Sequence, residues 1–193
     1  MENQIIQALK TRRSVRAYKP DQITDDELKT VLEAGTWAPT AKGLQDPWIV
    51  AIQNPALLKR ISRMNAAVWG KGEDIDPFYG APTFVLVFGT ADWVNAVPDG
   101  SLVLGNMMNA AHAIGLGSCW INREREMFAT EEGKALMKEL GLPDGLIGIG
   151  ALSLGYPATP PKEPKPRYHI ILLYHFPFPH LQSGSCRKCS ELV

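Results

Sequence analysis

The sequence predicts an α+β domain in which helices cover both faces of a sheet of about four strands, a three-layer α/β/α arrangement. Two observations support this prediction. Apolar runs of strand length alternate along the chain with segments of helical periodicity. The 193 residues, 45% of them hydrophobic, are enough for one domain with a substantial core.

Capping residues and apolar spacing predict five helices. TDDE at residues 24–27 has the pattern of a capping box, and Asn54 followed by Pro55 suits an N-cap and a first helical position. The segment 101–115 is apolar nearly all round, which predicts a central helix with little exposure. The predicted helices lie near residues 5–9, 24–35, 55–64, 101–115 and 130–140.

Four apolar runs between these helices predict the strands. TFVLVFG is apolar at nearly every position, which is typical of a strand buried on both faces. WIVAIQ, GSCWI and LIGIGALSLGYP have the same character. The predicted strands cover residues 48–53, 83–89, 117–121 and 146–157.

Three arginines occur among five residues in the stretch TRRSVRAYKP, residues 11–20. Arg12, Arg13 and Arg16 repel one another unless an anion lies between them. The chain's own carboxylates, a nucleic acid or a cofactor phosphate could supply that anion. Because 20 Lys and Arg balance 20 Asp and Glu, the chain lacks the basic excess typical of nucleic-acid binding. A small anion is therefore favoured.

The usual phosphate-binding loops are missing from the sequence. GLGSCW, residues 115–120, precedes a predicted strand instead of joining a strand to a helix, as a dinucleotide-binding turn would. No GxxxxGK[ST] motif occurs. Side chains must therefore hold any phosphate, and the planar guanidinium of arginine suits that role.

The sequence shows no targeting signal for a compartment outside the cytoplasm. The N-terminus MENQIIQALK lacks the apolar core of a signal peptide, and no run is long enough to span a bilayer. Three cysteines are too few for a disulfide framework. We expect a cytoplasmic protein with neither a membrane nor a nucleic acid as its partner.

Four motifs follow one another along the chain: RRSVRAY at 12–18, AGTWAPTAKGLQDPW at 34–48, AAHAIGLGSCWI at 110–121 and LGYPATPPKEPKPR at 154–167. In this order they resemble the nitroreductase family of flavin-dependent NAD(P)H oxidoreductases. The resemblance extends from residue 1 to about residue 167. It implies a mainly antiparallel sheet, a homodimer, and FMN held non-covalently in a pocket that both chains build.

The resemblance also implies which residues bind FMN. The RRSxR segment and a late KxR pair reach the phosphate, and the APTAKGLQ loop reaches the ribityl chain and ring edge from the partner subunit. Many members have Ser and Asn where this chain has Ala41 and Gly43, so backbone contacts are expected there. After GSCW, a backbone N–H points at flavin N5. The implied residues are Arg12, Arg13, Ser14, Arg16, Pro39, Thr40, Ala41, Gly43, Gln45, Ile121, Asn122, Arg123, Lys165 and Arg167.

The implied reaction is ping-pong hydride transfer. NADH or NADPH reduces the flavin at N5, and an electron-poor small molecule, such as a nitroaromatic or a quinone, then takes the electrons. The flavin carries the chemistry, so no catalytic residue is predicted. Reductive dehalogenation or other flavin chemistry on the same scaffold stays open as an alternative, as does a non-enzymatic flavin-binding protein.

Several further residues have both a functional and a packing interpretation. Trp69, Phe78 and Tyr79 are candidates for the acceptor pocket, with simple packing as the alternative. Trp120 suits the core and the flavin wall equally. We expect Cys119 to be a buried small residue and His112 to be a hydrogen-bonded core histidine.

The end of the chain departs from the family pattern. We predict a nitroreductase-like FMN-binding domain over residues 1–167 and an atypical tail over 168–193. The tail contains CRKC, which has the spacing of half a zinc site. The second pair of ligands that zinc needs is absent, so no metal is predicted. Residues 168 to about 179, which include its apolar part, are expected to dock on the body or on the partner subunit, since they would otherwise promote aggregation.

Overall fold

The computed structural model describes residues 2–72, 75–160, 163–164 and 166–167. The chain divides into two compact units, Met1–Pro161 and Lys162–Val193, and the fold is that of the first unit. Lys165 and the tail at 168–193 lie outside the described residues. The boundary after residue 167 therefore stays a prediction.

An antiparallel sheet forms the middle layer of the described part of the chain. Its four strands have the order β1-β2-β4-β3, and all neighbours are antiparallel. The predicted strands are confirmed, except that the last ends two residues earlier, at Gly155 opposite the first residue of β3, after which Pro157 bridges Tyr18 instead. The strands are β1 (Trp48–Ile52), β2 (Thr83–Thr90), β3 (Gly117–Ile121) and β4 (Leu146–Gly155).

Helices cover both faces of this sheet. Val85 and Val87 of β2 belong to a core with α2 and α4, whereas Phe84 and Leu86 belong to a second core with α3, α5 and α6. The predicted three-layer α+β fold is therefore confirmed. The α-helices of the described residues are α1 (Gln4–Thr11), α2 (Asp25–Thr36), α3 (Pro55–Val68), α4 (Ala96–Ala113), α5 (Glu124–Ala129) and α6 (Glu131–Glu139). None of these helices has the length and apolar character needed to cross a membrane.

Local capping signals set the starts of two helices as predicted. Thr24 and Glu27 form the reciprocal capping box of α2. The side chain of Asn54 accepts a hydrogen bond from the backbone N–H of Leu57 at 3.0 Å, and Pro55 occupies the first position of α3.

The start of α4 differs from the prediction, because the helix begins at Ala96, five residues before the predicted start at residue 101. Pro98 lies in the first turn of α4, where its missing N–H has no helical partner to lose. Gly100 lies against Ile149, and a Cβ at that position would be 2.4 Å from Ile149 Cδ1. Within the predicted segment, Leu102 is exposed, whereas Val103, Leu104, Met107 and Ala111 are buried, so the prediction of little exposure holds for the face that packs on the sheet and fails at Leu102.

Candidate functional site

The arginine segment, residues 12–16, leaves α1 and runs beside the first residues of β3. Ser14 and Ser118 form a parallel bridge, and the backbone N–H of Val15 donates to the carbonyl oxygen of Ser118 at 3.0 Å. Gly117 permits this approach, because a Cβ there would lie 2.9 Å from the side chain of Val15. The segment therefore lies at the sheet edge where β3 begins and β4 ends.

Two guanidinium nitrogens of this segment are buried and lack a partner. Arg12 Nη1 and Arg13 Nε have no hydrogen-bond acceptor within the part of the chain that the structure describes. Arg13 Nη1 does donate to the carbonyl oxygens of Lys10 and Arg12, both at 2.7 Å. A buried donor without an acceptor costs about 1–3 kcal/mol, so these two nitrogens destabilise the chain unless an acceptor from outside the described residues reaches them.

The arginines of this segment are not neutralised by the chain's own described carboxylates. The ion pairs among the described residues involve other basic side chains, and none includes Arg12, Arg13 or Arg16. Burial raises the pKa of the Cys119 thiol, while Arg16, Ser14 and Arg12 act in the opposite direction. Cys119 is a buried residue as predicted.

His112 connects the arginine segment to the last turn of α4. Its Nε2 lies 2.8 Å from Oγ1 of Thr11. Burial lowers the pKa of His112, and the charges of Arg12 and Arg13 lower it further. The imidazole has a hydrogen-bond partner as predicted, but it is half-buried at a helix end instead of lying in the core.

A buried carboxylate holds the predicted loop at residues 39–45. Asp99, in the first turn of α4, is 3% exposed. It accepts hydrogen bonds from the backbone N–H of Ala41 at 2.9 Å and from Nε1 of Trp93 at 3.0 Å. Sequence reasoning missed Asp99. An acidic residue early in a helix is a common stabilising feature and gives no distinct signal.

The rest of the loop is a compact backbone turn. Residues Ala41–Gly43 form a 3₁₀ turn that follows Pro39. Thr40 accepts from the backbone N–H of Gly43 through its carbonyl oxygen and from that of Gln45 through its hydroxyl. Gly43 and Gln45 both have positive φ, at 66° and 54°. The loop therefore has a defined backbone, but the N–H groups of Ala41 and Gly43 both donate within the chain and are not free donors for a ligand.

The structure does not bring this loop and the arginine segment together within one chain. Asp99 binds the loop at the start of α4, and His112 contacts the end of α1 in the last turn of α4. At a rise of 1.5 Å per residue, these two points on the helix are about 20 Å apart. The two groups of predicted residues therefore belong to separate regions of the chain.

The third predicted group lies at the turn between β3 and α5. Ile121 is buried in the core, and Asn122 accepts a hydrogen bond from Nε1 of Trp120 at 2.7 Å through its side chain. Arg123 adopts a left-handed conformation with φ 84°, which ends the strand and begins the short helix α5 that the sequence did not predict. Among the described residues, no hydrogen bond outside the helices and strands uses the backbone N–H of Asn122 or Arg123. Both N–H groups remain available to a ligand.

Asn65 of α3 fixes this turn, although sequence reasoning did not identify it. It is fully buried, and its Nδ2 donates to the carbonyl oxygen of Asn122 at 2.9 Å and to Oε1 of Glu124 at 3.3 Å. Its Oδ1 accepts from Nε of Arg123 at 3.0 Å. The guanidinium carbon of Arg123 lies 4.5 Å from the centre of the Trp69 ring.

Glu124 is a buried acid beside this turn. It is 1% exposed, and burial raises its pKa to about 8. Its Oε2 has no hydrogen-bond partner among the described residues. Glu124 is therefore mostly protonated at neutral pH and adds little negative charge to the region.

The predicted acceptor-pocket aromatics have different environments. Phe78 is buried and stacks on Phe84 with ring centres 3.7 Å apart, so it is a packing residue. Trp69 and Tyr79 are exposed, and each lies beside an arginine: Arg123 over Trp69, and Arg16 6.0 Å from the Tyr79 ring centre.

Two other groups of predicted residues cannot be placed at this site. Arg167 belongs to the second unit, and Lys165 lies outside the described residues, so the KxR clamp stays a prediction. The CRKC cysteines and the tail histidines also lie outside the described residues.

The fold and the sequence both match known proteins. The model of the nitroreductase family matches residues 9–156, which is more than half of the chain. The chain belongs to the nitroreductase family. The predicted family is therefore confirmed.

Individual relatives agree with this assignment. A protein of Archaeoglobus fulgidus whose name links it to NAD(P)H nitroreductases is 32% identical over 154 residues, covering 76% of this chain and 82% of that protein. An FMN reductase (NADPH) of Bacillus subtilis is 24% identical, covering 90% and 73%. The crystal structure of a Bacteroides fragilis nitroreductase with bound FMN superposes with a TM-score of 0.83 at 29% identity, covering 90% of this chain and all of that one. The predicted enzyme class agrees with these names.

Proposed function

We propose that this nitroreductase-family chain binds FMN and uses NADH or NADPH to reduce electron-poor small molecules, such as nitroaromatics or quinones. The observation that carries the proposal is the pair of buried nitrogens without partners, Arg12 Nη1 and Arg13 Nε. They lie in the segment that the family resemblance assigns to the FMN phosphate. Family relatives with FMN in their names or structures support the same cofactor.

The arginine segment fits a phosphate monoester. Such a group carries close to two negative charges and three strong acceptor oxygens. Guanidinium groups bind it with short, charge-assisted hydrogen bonds, and no described carboxylate competes for Arg12, Arg13 or Arg16. The bridge from Ser14 to β3 orders the segment before any ligand arrives.

The turn after β3 fits the reactive end of the cofactor. Bound FMN would supply the chemistry, taking a hydride from NAD(P)H and passing electrons to the acceptor. The chain would bind and orient the ring through the backbone N–H groups of Asn122 and Arg123. Asn65 holds those N–H groups in place by hydrogen bonds to Asn122 and Arg123. No acid or base from the protein is needed.

We propose that two copies of the chain build each site. The loop and the arginine segment are about 20 Å apart along α4, so a second copy would have to bring one of them to the other. Apolar side chains that a partner would cover are also exposed in the single chain: Ile5 is 71%, Leu9 52% and Trp37 79% exposed. Helix α1 buries none of its residues.

The absorption spectrum of the purified protein tests this function. We expect yellow protein, or colourless protein that turns yellow and binds added FMN. Anaerobic addition of NADH or NADPH should then bleach the flavin band, and a nitroaromatic or quinone should restore it. Protein that binds FMN but is reduced by neither nucleotide would be a flavin-binding protein and not this enzyme. Protein that binds no FMN would contradict the proposal outright.

A further inference from the structure

A cation of fixed geometry lies beside the turn proposed to contact the reactive end of the flavin. Two contacts hold the Arg123 side chain. Its Nε donates a hydrogen bond to Asn65 Oδ1 at 3.0 Å, and its guanidinium carbon lies 4.5 Å from the centre of the Trp69 ring. Asn65 is itself fixed by its hydrogen bond to the carbonyl oxygen of Asn122. Arg123 is therefore positioned before any ligand binds.

The two contacts leave the outer edge of the guanidinium free. Among the described residues, Nε is the atom of Arg123 that donates a side-chain hydrogen bond, and no carboxylate forms an ion pair with this residue. The Nη atoms are not among the buried atoms that lack partners, so they reach the surface. This edge can donate two parallel hydrogen bonds to a carboxylate or a sulfonate.

Glu124, the next residue in the chain, adds little negative charge against Arg123. It is buried, and burial raises its pKa to about 8, so most of it is neutral at physiological pH. A second cation, Lys71, has its Nζ 5.7 Å from the Trp69 ring centre. Among the described residues, two cations therefore lie around the Trp69 ring.

We propose that Arg123 selects acceptors that carry an anionic group, so that the preferred substrates are electron-poor aromatics bearing a carboxylate or a sulfonate. This inference rests on the proposed function, because it needs the acceptor to bind beside the turn at residues 121–123. The Trp69 ring would support the guanidinium, and the free edge of the guanidinium would bind the anion. Asn65 acts as a positioning residue that holds the guanidinium.

Matched acceptors test the inference. We compare 4-nitrobenzoate with 4-nitrobenzyl alcohol, which has a similar size and no charge, in wild type and in Arg123→Gln. For each protein we take the ratio of kcat/KM for the nitrobenzoate to kcat/KM for the alcohol. Comparing this ratio between proteins cancels the difference in intrinsic reactivity between the two acceptors. We expect this ratio to fall about tenfold in Arg123→Gln, the effect of losing one charge-assisted contact. Arg123→Lys should retain part of the preference.

Arg125→Gln is the matched control. It removes the same charge two residues further on, inside the short helix that Arg123 precedes, where the side chain is exposed. Its acceptor ratio should equal that of wild type. An equal loss for both acceptors in Arg123→Gln would show a structural role and overturn the inference. If Arg123→Gln changed only the rate at which NADPH reduces the flavin, the anion that Arg123 binds would belong to the nucleotide. This result would also overturn the inference.

Binding to the wild-type protein gives a second readout that needs no variant and no turnover. Perturbation of the flavin absorption band reports the Kd of each acceptor for the oxidised holoenzyme. The Kd of 4-nitrobenzoate should rise with salt, because exposed charge contacts are screened, while that of the alcohol should stay constant. A salt-independent Kd for the anion would contradict the role of Arg123. Failure of the proposed function would look different, because the protein would then bind no FMN or resist reduction by NAD(P)H.

Discussion

Asp99 and His112 lie at opposite ends of α4 and hold opposite parts of the candidate site. Asp99 accepts a hydrogen bond from the backbone N–H of Ala41 in the 39–45 loop, and His112 contacts Thr11 next to the arginine segment. The helix between them keeps these parts about 20 Å apart. A single chain therefore keeps these two groups of residues apart, and in the proposed dimer a second copy would bring them together.

Mixing two defective chains tests whether the site is shared. We expect Arg12→Ala and Asp99→Asn to weaken FMN binding when each is expressed alone. A heterodimer of the two carries both defects in one site and none in the other, so about half of its sites should bind FMN with wild-type affinity. Light scattering should show a dimer. A monomer with full FMN occupancy, or a heterodimer with no intact site, would contradict the shared site.

Asp99→Asn tests the support of the 39–45 loop. The carboxylate accepts from both Ala41 and Trp93, whereas an amide can offer only one oxygen and turns an N–H₂ group toward the other donor. We expect a loss of about 1–3 kcal/mol in the free energy of unfolding and weaker FMN binding. Chemical denaturation and FMN titration measure the two effects. The exposed Asp92→Asn removes the same charge and should change stability by less than about 0.5 kcal/mol.

The buried acid Glu124 should make stability depend on pH. Because burial raises its pKa to about 8, the folded chain keeps a proton that the unfolded chain loses above its ordinary pKa. This contribution is complete below about pH 4.5 and is lost as the pH rises toward about 8, with a slope of at most about 1.4 kcal/mol per pH unit. Urea denaturation of Glu124→Gln across this range should give a flatter profile than wild type. If the exposed Glu126→Gln flattened the profile equally, Glu124 would not be its source.

The sequence predicted the elements whose signals are local. The capping box from Thr24 to Glu27 and the continuous apolar run of β2 each form a pattern within a few residues, and both are present. The arginine cluster was also visible in the sequence, as unbalanced positive charge in a short stretch. In the structure, two of its buried guanidinium nitrogens have no hydrogen-bond partner among the described residues.

The residues that hold the site could not be predicted in the same way. Asp99 binds Ala41, and Asn65 binds Asn122, across separations of 58 and 57 residues. Neither residue has a distinctive neighbourhood in the sequence, because its partner is chosen by the packing of helices on the sheet. The left-handed turn at Arg123 was missed for a related reason. The strain of the positive φ at Arg123 is offset by contacts with Asn65 in α3 and with Trp69 at the end of α3.

Titration of wild type and Arg12→Ala with FMN and with riboflavin tests the central claim most directly. Arg12 Nη1 is a buried donor that the phosphate would satisfy, so Arg12→Ala should weaken FMN binding by about 1.5–3 kcal/mol. Riboflavin has no phosphate and should bind both proteins about equally. Flavin fluorescence quenching gives all four affinities. If Arg12→Ala lowered the affinity for riboflavin as much as that for FMN, Arg12 would be structural, and the assignment of the arginine segment to the phosphate would be wrong.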